Sequence, residues 1–427
     1  MTPTIDAARR RVFLDPRDPD FFNNPYPAYR AIRAEAPVFF WEDYGFWCFM
    51  RHTDVSALLR DRRFGRQILH LMSRDELGWP APKPHLHPFD ALERHSLLEL
   101  EPPEHTRLRN LVNRAFVSRR IEKLEPRVAA LAHERIDAFA QQGSVDLIGE
   151  FATPIPVAVI ADLLGAPREA APQLLDWSHR MVAMYQFGVT RVVEDRAAES
   201  SRDFAEFIRR FARARRADLG DDLISQLLVA ESEGGRLTED ELVSTAILLL
   251  NAGHEATVHA IGNGVKAALE YGLDPILAFE SKARAAAAVE ELLRLDAPLH
   301  LFNRYALEDA EVAGVSLRKG EKIGLLLGAA NRDPERFPMP DAFDCGRAPN
   351  PHVSFGGGIH FCVGAPLARL ELTTVLPILF ARLPGLRIAD PPQYRDAYHF
   401  HGLKALRVEW DRQARVAGWA GRLRGLR

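Results

Sequence analysis

The sequence is short of cysteine. Three occur in 427 residues, Cys48, Cys345 and Cys362, an odd and sparse set that argues against a disulfide-stapled secreted fold. No two are spaced as C-x-x-C, which removes the usual signature of a structural zinc site. Long hydrophobic runs are missing as well. No uninterrupted apolar run is longer than Ala246–Leu250, far below the roughly 18 residues that suggest a membrane span. The opening MTPTIDAARRRVFLDP is polar and broken by proline. It lacks the charged-then-apolar order of a secretory signal, so a cytoplasmic location is expected. Neither sign of charge dominates: 55 Lys+Arg face 58 Asp+Glu for a net charge of −3. That balance excludes a polycationic nucleic-acid binder and an acidic disordered chain. Lysine is scarce at seven residues, so arginine carries nearly all the basic charge. No internal repeat and no glycine- or serine-rich linker is visible.

What remains is ample apolar material, 47% of residues, enough for a sizeable core. Length alone suggests two or three domains, which the missing linker argues against. Helical periodicity dominates Ile121–Ala140, Phe204–Ala217, Leu223–Ser232, Glu239–Glu270 and Ala283–Leu295. Strand patterns occupy Val38–Trp41, Trp47–Met50, Glu311–Val315 and Lys322–Leu327. The stretch Gly65–Glu104 is rich in Pro, His and Leu without a clean period, and a loop that long is usually functional. The expected fold class is mainly α with small β-sheets.

One cysteine stands in a distinctive place. FGGGIHFCVGAPLA, Phe355 to Ala368, sets three glycines before Cys362 and Gly364 after it. A helical pattern then begins around Pro366, a residue suited to a first turn. A cysteine just before a helix N-terminus meets free N–H groups and the dipole, both of which favour a thiolate. The residues therefore describe a thiolate ligand to a metal cofactor on an open backbone loop. Cys48 and Cys345 read as packing residues.

Phe355, Gly356, Gly358, His360, Cys362 and Gly364 together resemble the haem-binding signature of cytochromes P450, FGxGxHxCxG. The resemblance spans roughly residues 15–410 and implies one haem domain over the whole chain. It places haem between a long distal helix I and the proximal cysteine loop with its following helix L. It gives Cys362 the role of axial iron ligand. No C-x-x-C-H is present, so haem b rather than covalently attached haem is implied. His105 and Arg109, four apart in EPPEHTRLR, match the two propionate donors of the family's helix C. Arg304 and His360 match a third and a fourth. Glu291 and Arg294, with Arg347 in FDCGR, resemble the family's buried ExxR network, a structural rather than a catalytic feature.

Thr238 to Glu241 forms a capping box that opens a helix of about 45 Å, interrupted by Asn251, Ala252 and Gly253. It resembles helix I, in which Gly253 leaves room for dioxygen and permits a local distortion. The family usually follows with an acid and then an alcohol, the acid supplying protons and the alcohol steadying the water that delivers them. Glu255 fits the acid, but Ala256 stands at the alcohol position. Thr257 lies about 100° further round the helix and should not replace it directly. A substrate hydroxyl or trapped water, a contribution from Thr257 or His254, or an atypical reaction would each accommodate the change.

The resemblance implies a monooxygenase that inserts one atom of O2 into an apolar organic substrate. The alternatives are a peroxide-driven, coupling or rearranging member, or a haem-thiolate binding or sensing protein without turnover. The pocket would be lined by Leu97, Leu98, Met181, Met184, Tyr185, Phe187, Leu248, Ala252, Leu299, Leu301, Phe302 and Phe400, with His300 and His399 as polar contacts. No segment is left over for a flavin reductase. A separate ferredoxin and its NAD(P)H-dependent reductase are therefore expected, with Arg107, Arg114, Arg119 and Arg120 as one docking patch. A monomer is expected, with Asp411–Arg427 as a basic C-terminal extension.

Overall fold

The capping signature does begin a helix. In the computed structural model, which describes residues 2–115, 121–232 and 237–411, Thr238 Oγ1 accepts from the Glu241 N–H at 3.2 Å. Glu241 Oε2 in turn accepts from the Thr238 N–H at 2.8 Å. The helix then runs without interruption from Glu239 to Glu270. It is apolar nearly all round, the pattern of a helix buried on every side. It packs against helices Pro154–Leu164, Ala171–Val182, Arg191–Arg215, Lys282–Leu295 and Ala365–Arg382. The expected break at Asn251–Gly253 is absent.

The sheets are small, as expected. The largest has seven strands in the order Thr4–Asp6, Arg11–Phe13, Val38–Trp41, Phe46–Phe49, Lys322–Leu326, Leu301–Ala306, Phe64–Gly65. Alternation along these strands divides the apolar side chains between two clusters. Phe39, Trp41, Cys48 and Leu301 join one, and Val38, Phe49, Ile323 and Leu325 the other. A third and much larger cluster fills the helical part. The strand expected over Glu311–Val315 is a hairpin instead, Ala310–Val312 against Val315–Leu317, because Ala313 and Gly314 turn the chain with positive φ. One long helix begins thirteen residues before the periodicity at Phe204 becomes visible. In Arg191–Arg215 the early buried face is made of Ala197, Ala198, Ser200 and Ser201, small residues that leave no hydrophobic stripe. The stretch Gly65–Glu104 is largely irregular, relieved by the helix His87–Glu93. The extension beyond Asp411 lies outside the described residues. Among the described residues, no helix is long and apolar enough to cross a membrane.

Candidate active site

The cysteine segment folds as a tight loop closed by its own backbone. Gly356 N–H donates to Val353 O at 2.8 Å, and Cys362 N–H donates to Phe355 O at 3.0 Å. Gly358 has φ +67°, and a Cβ there would lie 2.3 Å from Leu59 O. Only glycine fits that approach. The helix Ala365–Arg382 starts immediately afterwards with Gly364 as its N-cap. Burial pushes the Cys362 thiol up, while the amides of Gly364 and Ala365 and the cations Arg109 and Arg369 oppose that shift. Cys362 is nonetheless exposed by surface area. The sulfur therefore sits in the loop with surface left for a ligand. Cys48 is fully buried within the sheet and Cys345 half-buried, as packing residues.

Two basic side chains near the loop are buried without an ion pair among the described residues. His105 is 2% exposed, and neither ring nitrogen has a hydrogen-bond partner among them. Arg304, also 2% exposed, donates to Asn303 O at 2.9 Å and forms no ion pair among the described residues. Burial, reinforced by Arg66, brings its guanidinium down to about 9. Burying such groups unpaired is costly, so both are fitted to receive carboxylates from outside the chain. Arg109 reaches the loop itself, donating to Phe361 O at 2.6 Å. His360 differs from the expected free donor: its Nε2 lies 3.2 Å from Glu101 Oε1, and its ring is 4.4 Å from that of His105. The residues present thus fit a thiolate-ligated group with two carboxylates, which is the donor demand of haem.

The long helix supplies the opposite wall. Leu248 and Ala256 are half-open and Ala252 exposed, whereas the flanking Leu249, Leu250, Asn251, His254, Glu255 and Thr257 are buried. Residues at i, i+4 and i+8 share one face, so this stripe is the open face of that part of the helix. Gly253 does not share it. A Cβ there would meet Ile160 Cδ1 and Cγ1 at 3.0 Å, so the glycine admits helix Pro154–Leu164 rather than dioxygen. Thr257 donates its hydroxyl back to Gly253 O at 3.4 Å. That intrahelical bond leaves Ala256 unreplaced. The Glu255 carboxylate is buried among cations and histidines: Arg395 Nη1 and His259 Nε2 each lie 3.3 Å from Oε1, and His179 Nε2 lies 3.6 Å from Oε2. Burial alone would raise this carboxyl; His259, His179 and His254 outweigh it and hold it down to about 2.

The ExxR residues form the expected buried network. Glu291 and Arg294 are fully buried, joined by Nε to Oε2 at 2.7 Å and Nη2 to Oε1 at 2.8 Å. Arg347 Nε donates to Glu291 Oε1 at 3.0 Å. Arg294 also donates to Asn331 O at 2.9 Å and Pro340 O at 2.8 Å, fixing the segment that leads to the cysteine loop. One residue earlier, Glu290 accepts from Arg369 Nε and Nη2 at 2.7 and 2.8 Å, clamping the helix that follows Cys362. Burial raises Glu290, but Arg369 and His352 pull it down to about 2. A carboxyl depressed below its unfolded value of about 4.3 stabilises the fold above that pH and loses the contribution as pH falls through the folded value. Glu290→Gln should therefore remove stability on the order of 2 kcal/mol at neutral pH and flatten the acid limb between about pH 4 and pH 2. Thermal melting of both forms against pH checks this; parallel curves would contradict it.

The expected pocket residues divide. Leu98, Met184, Leu248, Leu299, Phe302, His399 and Phe400 retain open surface. The bridge between Leu299 and Phe400 holds two of these segments together, and the Phe302 ring lies 3.2 Å from where a Gly356 Cβ would sit. Leu97 and Met181 are instead buried in the helical core, and Leu301 in the sheet core. His300 turns away into that same region, 2.8 Å from the Tyr29 hydroxyl. Phe187 lies on the surface against Tyr44, and Tyr185 donates to Glu93 at 2.9 Å. Of the expected docking arginines, Arg107 is paired with Glu241 at the start of the long helix, Arg114 is exposed, and Arg119 and Arg120 lie outside the described residues. Glu101, His179, His259 and Arg395 were not anticipated. His259 alone had a signal, four residues after Glu255 on the same helix.

Comparison with known proteins agrees with this geometry. The family model described as Cytochrome P450 matches residues 285–383, which include the ion network and the cysteine loop. The polyketide biosynthesis cytochrome P450 PksS of Bacillus subtilis is 34% identical over 93% of this chain and 98% of its own length. The vitamin D(3) 25-hydroxylase of Pseudonocardia autotrophica is 38% identical over 91% of this chain and 94% of its own. A crystal structure of P450BioI in complex with hexadec-9Z-enoic acid ligated acyl carrier protein superposes with a TM-score of 0.85. It shares 33% identity and covers 92% of this chain and all of that one.

Proposed function

The chain belongs to the cytochrome P450 family and is a haem-thiolate oxidoreductase; from that membership we propose a monooxygenase acting on a lipophilic small molecule, with Cys362 as axial ligand. The observation that carries the site assignment is the pairing of the Cys362 loop with two buried basic groups, Arg304 and His105, that form no ion pair among the described residues. We further assign haem b, one haem domain over the whole chain and a monomer. When bound, haem supplies the iron at which dioxygen is reduced, so that RH, O2, NAD(P)H and a proton yield ROH, water and NAD(P)+. The chain's own residues do the rest. Gly364 and Ala365 N–H groups, with Arg109 and Arg369, favour the Cys362 thiolate. Arg304, His105 and Arg109 would hold the propionates. Leu98, Met184, Leu248, Phe302 and Phe400 exclude water and receive the substrate. Glu255, kept ionised by His259, His179 and His254, relays protons as a buried carboxylate.

Two relatives support the substrate class, since one is named for vitamin D(3) and the other binds a C16 fatty acyl group. Electrons from a separate ferredoxin and its reductase complete the reading. The test is a library of lipophilic compounds screened by the haem spin shift, followed by product analysis with a ferredoxin system. Spin-shifting ligands that yield oxidised products support it; NAD(P)H consumption without product would favour a sensing role.

Ala256 favours one second reading. Without an alcohol on the open stripe, the substrate or a trapped water must complete proton delivery, or the reaction proceeds with peroxide. Ala256→Thr is expected to change the ratio of product to NAD(P)H several-fold while leaving the spin-shift binding constant nearly unchanged. Equal coupling in both forms would remove Ala256 as a functional adaptation. Turnover with hydrogen peroxide but none with the ferredoxin system would establish the peroxide reading.

A further inference from the structure

Two buried clusters among the described residues bring three metal-ligating side chains together: His179, His254 and Glu255, and Asp296, His300 and His401. The second is closed to a cation. Asp296 already accepts from the Tyr26 and Tyr394 hydroxyls, and the Lys266 ammonium lies 3.9 Å away. The first is open in the way a metal requires.

His254 is fully buried, and its Nδ1 lies 2.8 Å from Leu250 O. A carbonyl only accepts, so Nδ1 carries the hydrogen and the neutral ring presents Nε2 as a bare lone pair. That nitrogen has no hydrogen-bond partner among the described residues. It faces Glu255 Oε2, 3.8 Å away, which is likewise buried and unpartnered. Two lone pairs confront each other with nothing to reconcile them. His179 Nε2 approaches the same oxygen at 3.6 Å, and one donor atom from each of the three residues lies within 4.8 Å of the other two. Tetrahedral zinc, with bonds of about 2.0–2.2 Å, sets its ligand atoms about 3.4 Å apart. Small rotations of the Glu255 carboxylate and of His179, whose side chain is 40% exposed, would close the difference. The same exposure gives a metal its entry and a water its fourth position. Arg395 engages the other carboxylate oxygen, Oε1, leaving Oε2 for the ion. The Nδ1–H···O=C bond of His254 is the orienting contact that metal-bound histidines usually carry.

We propose that His179, His254 and Glu255 form a binding site for a divalent cation of the zinc class. Two imidazoles and one carboxylate favour zinc-like ions over Mg2+ or Ca2+, which prefer all-oxygen shells. Occupation holds the Glu255 carboxylate in a coordination bond and so inhibits turnover. This last consequence rests on the proposed role of Glu255; the binding does not.

The test uses the haem-loaded full chain, in which haem occupies Cys362, titrated with zinc chloride against a chromophoric chelator. One zinc per chain is expected, with no competition from magnesium. His179→Ala, at a half-exposed position, and Glu255→Gln should each weaken binding about tenfold or more. Absence of zinc binding, or equal affinity in both variants and the parent, overturns the site. Zinc should also lower product formation in the parent and not in His179→Ala. Binding that depends on His179 but leaves turnover unchanged would sustain the site and overturn both its inhibitory effect and the proposed role of Glu255.

Discussion

Cys362→Ser is expected to lower monooxygenase turnover about a thousandfold or more, equivalent to about 4 kcal/mol of barrier, while the protein remains folded. The loop should survive the change because it is held by main-chain bonds. Cys362 N–H to Phe355 O, Gly356 N–H to Val353 O and Phe361 N–H to Gly358 O do not involve the sulfur. What is lost is the soft, polarizable ligand that donates charge to iron. The amides of Gly364 and Ala365 and the nearby Arg109 and Arg369 are arranged for an anion, and an alcohol remains neutral at the same pH. The measurement is product formation together with the carbon monoxide difference spectrum of the reduced protein. Cys345→Ser is the control, since Cys345 is half-buried and lies outside the segment Phe355–Gly364. Loss of the thiolate spectrum in the Cys345 variant, or its retention in Cys362→Ser, would contradict the assignment.

Glu291→Ala carries the second large effect, on stability. The carboxylate is fully buried and is the shared acceptor for Arg294, Arg347, Asn350 Nδ2 at 3.1 Å and Asp344 N–H at 3.0 Å. Its removal leaves a fully buried guanidinium, Arg294, without a counter-charge. Breaking one side of such a pair costs about 3–5 kcal/mol, far above the 0–1 kcal/mol of roughly typical surface pairs. Because Arg294 also holds the carbonyls of Asn331, Pro340 and Ala342, the loss should spread to the cysteine loop and reduce haem incorporation. Urea unfolding followed by circular dichroism, with haem content measured in parallel, checks both. A loss below about 1 kcal/mol with full haem content would show that the network is dispensable.

Legibility in the sequence followed the range of the forces involved. The cysteine loop was readable because its glycines, cysteine and following helix lie within fourteen residues. The capping box of the long helix was equally local. The pocket was not. Leu301 and Phe302 both looked like lining residues, yet the strand Leu301–Ala306 sends them to opposite faces, and only Phe302 keeps open surface. Gly253 illustrates the same limit on a helix: it is one residue from Ala252, about 100° round the axis, and so faces Ile160 instead of sharing the open stripe. The environment of Glu255 was least legible of all. His179 and Arg395 come from segments separated by more than two hundred residues, and no local pattern announces that a tertiary fold will set them on one carboxylate.

The central claim is that this chain binds haem through the Cys362 thiolate. The carbon monoxide difference spectrum of the reduced, haem-loaded wild-type protein tests it most directly. The strongly red-shifted band of thiolate ligation is expected, and it should be absent from Cys362→Ser. A wild-type band at the shorter wavelength of imidazole- or water-ligated haem, or no carbon monoxide complex at all, would contradict it.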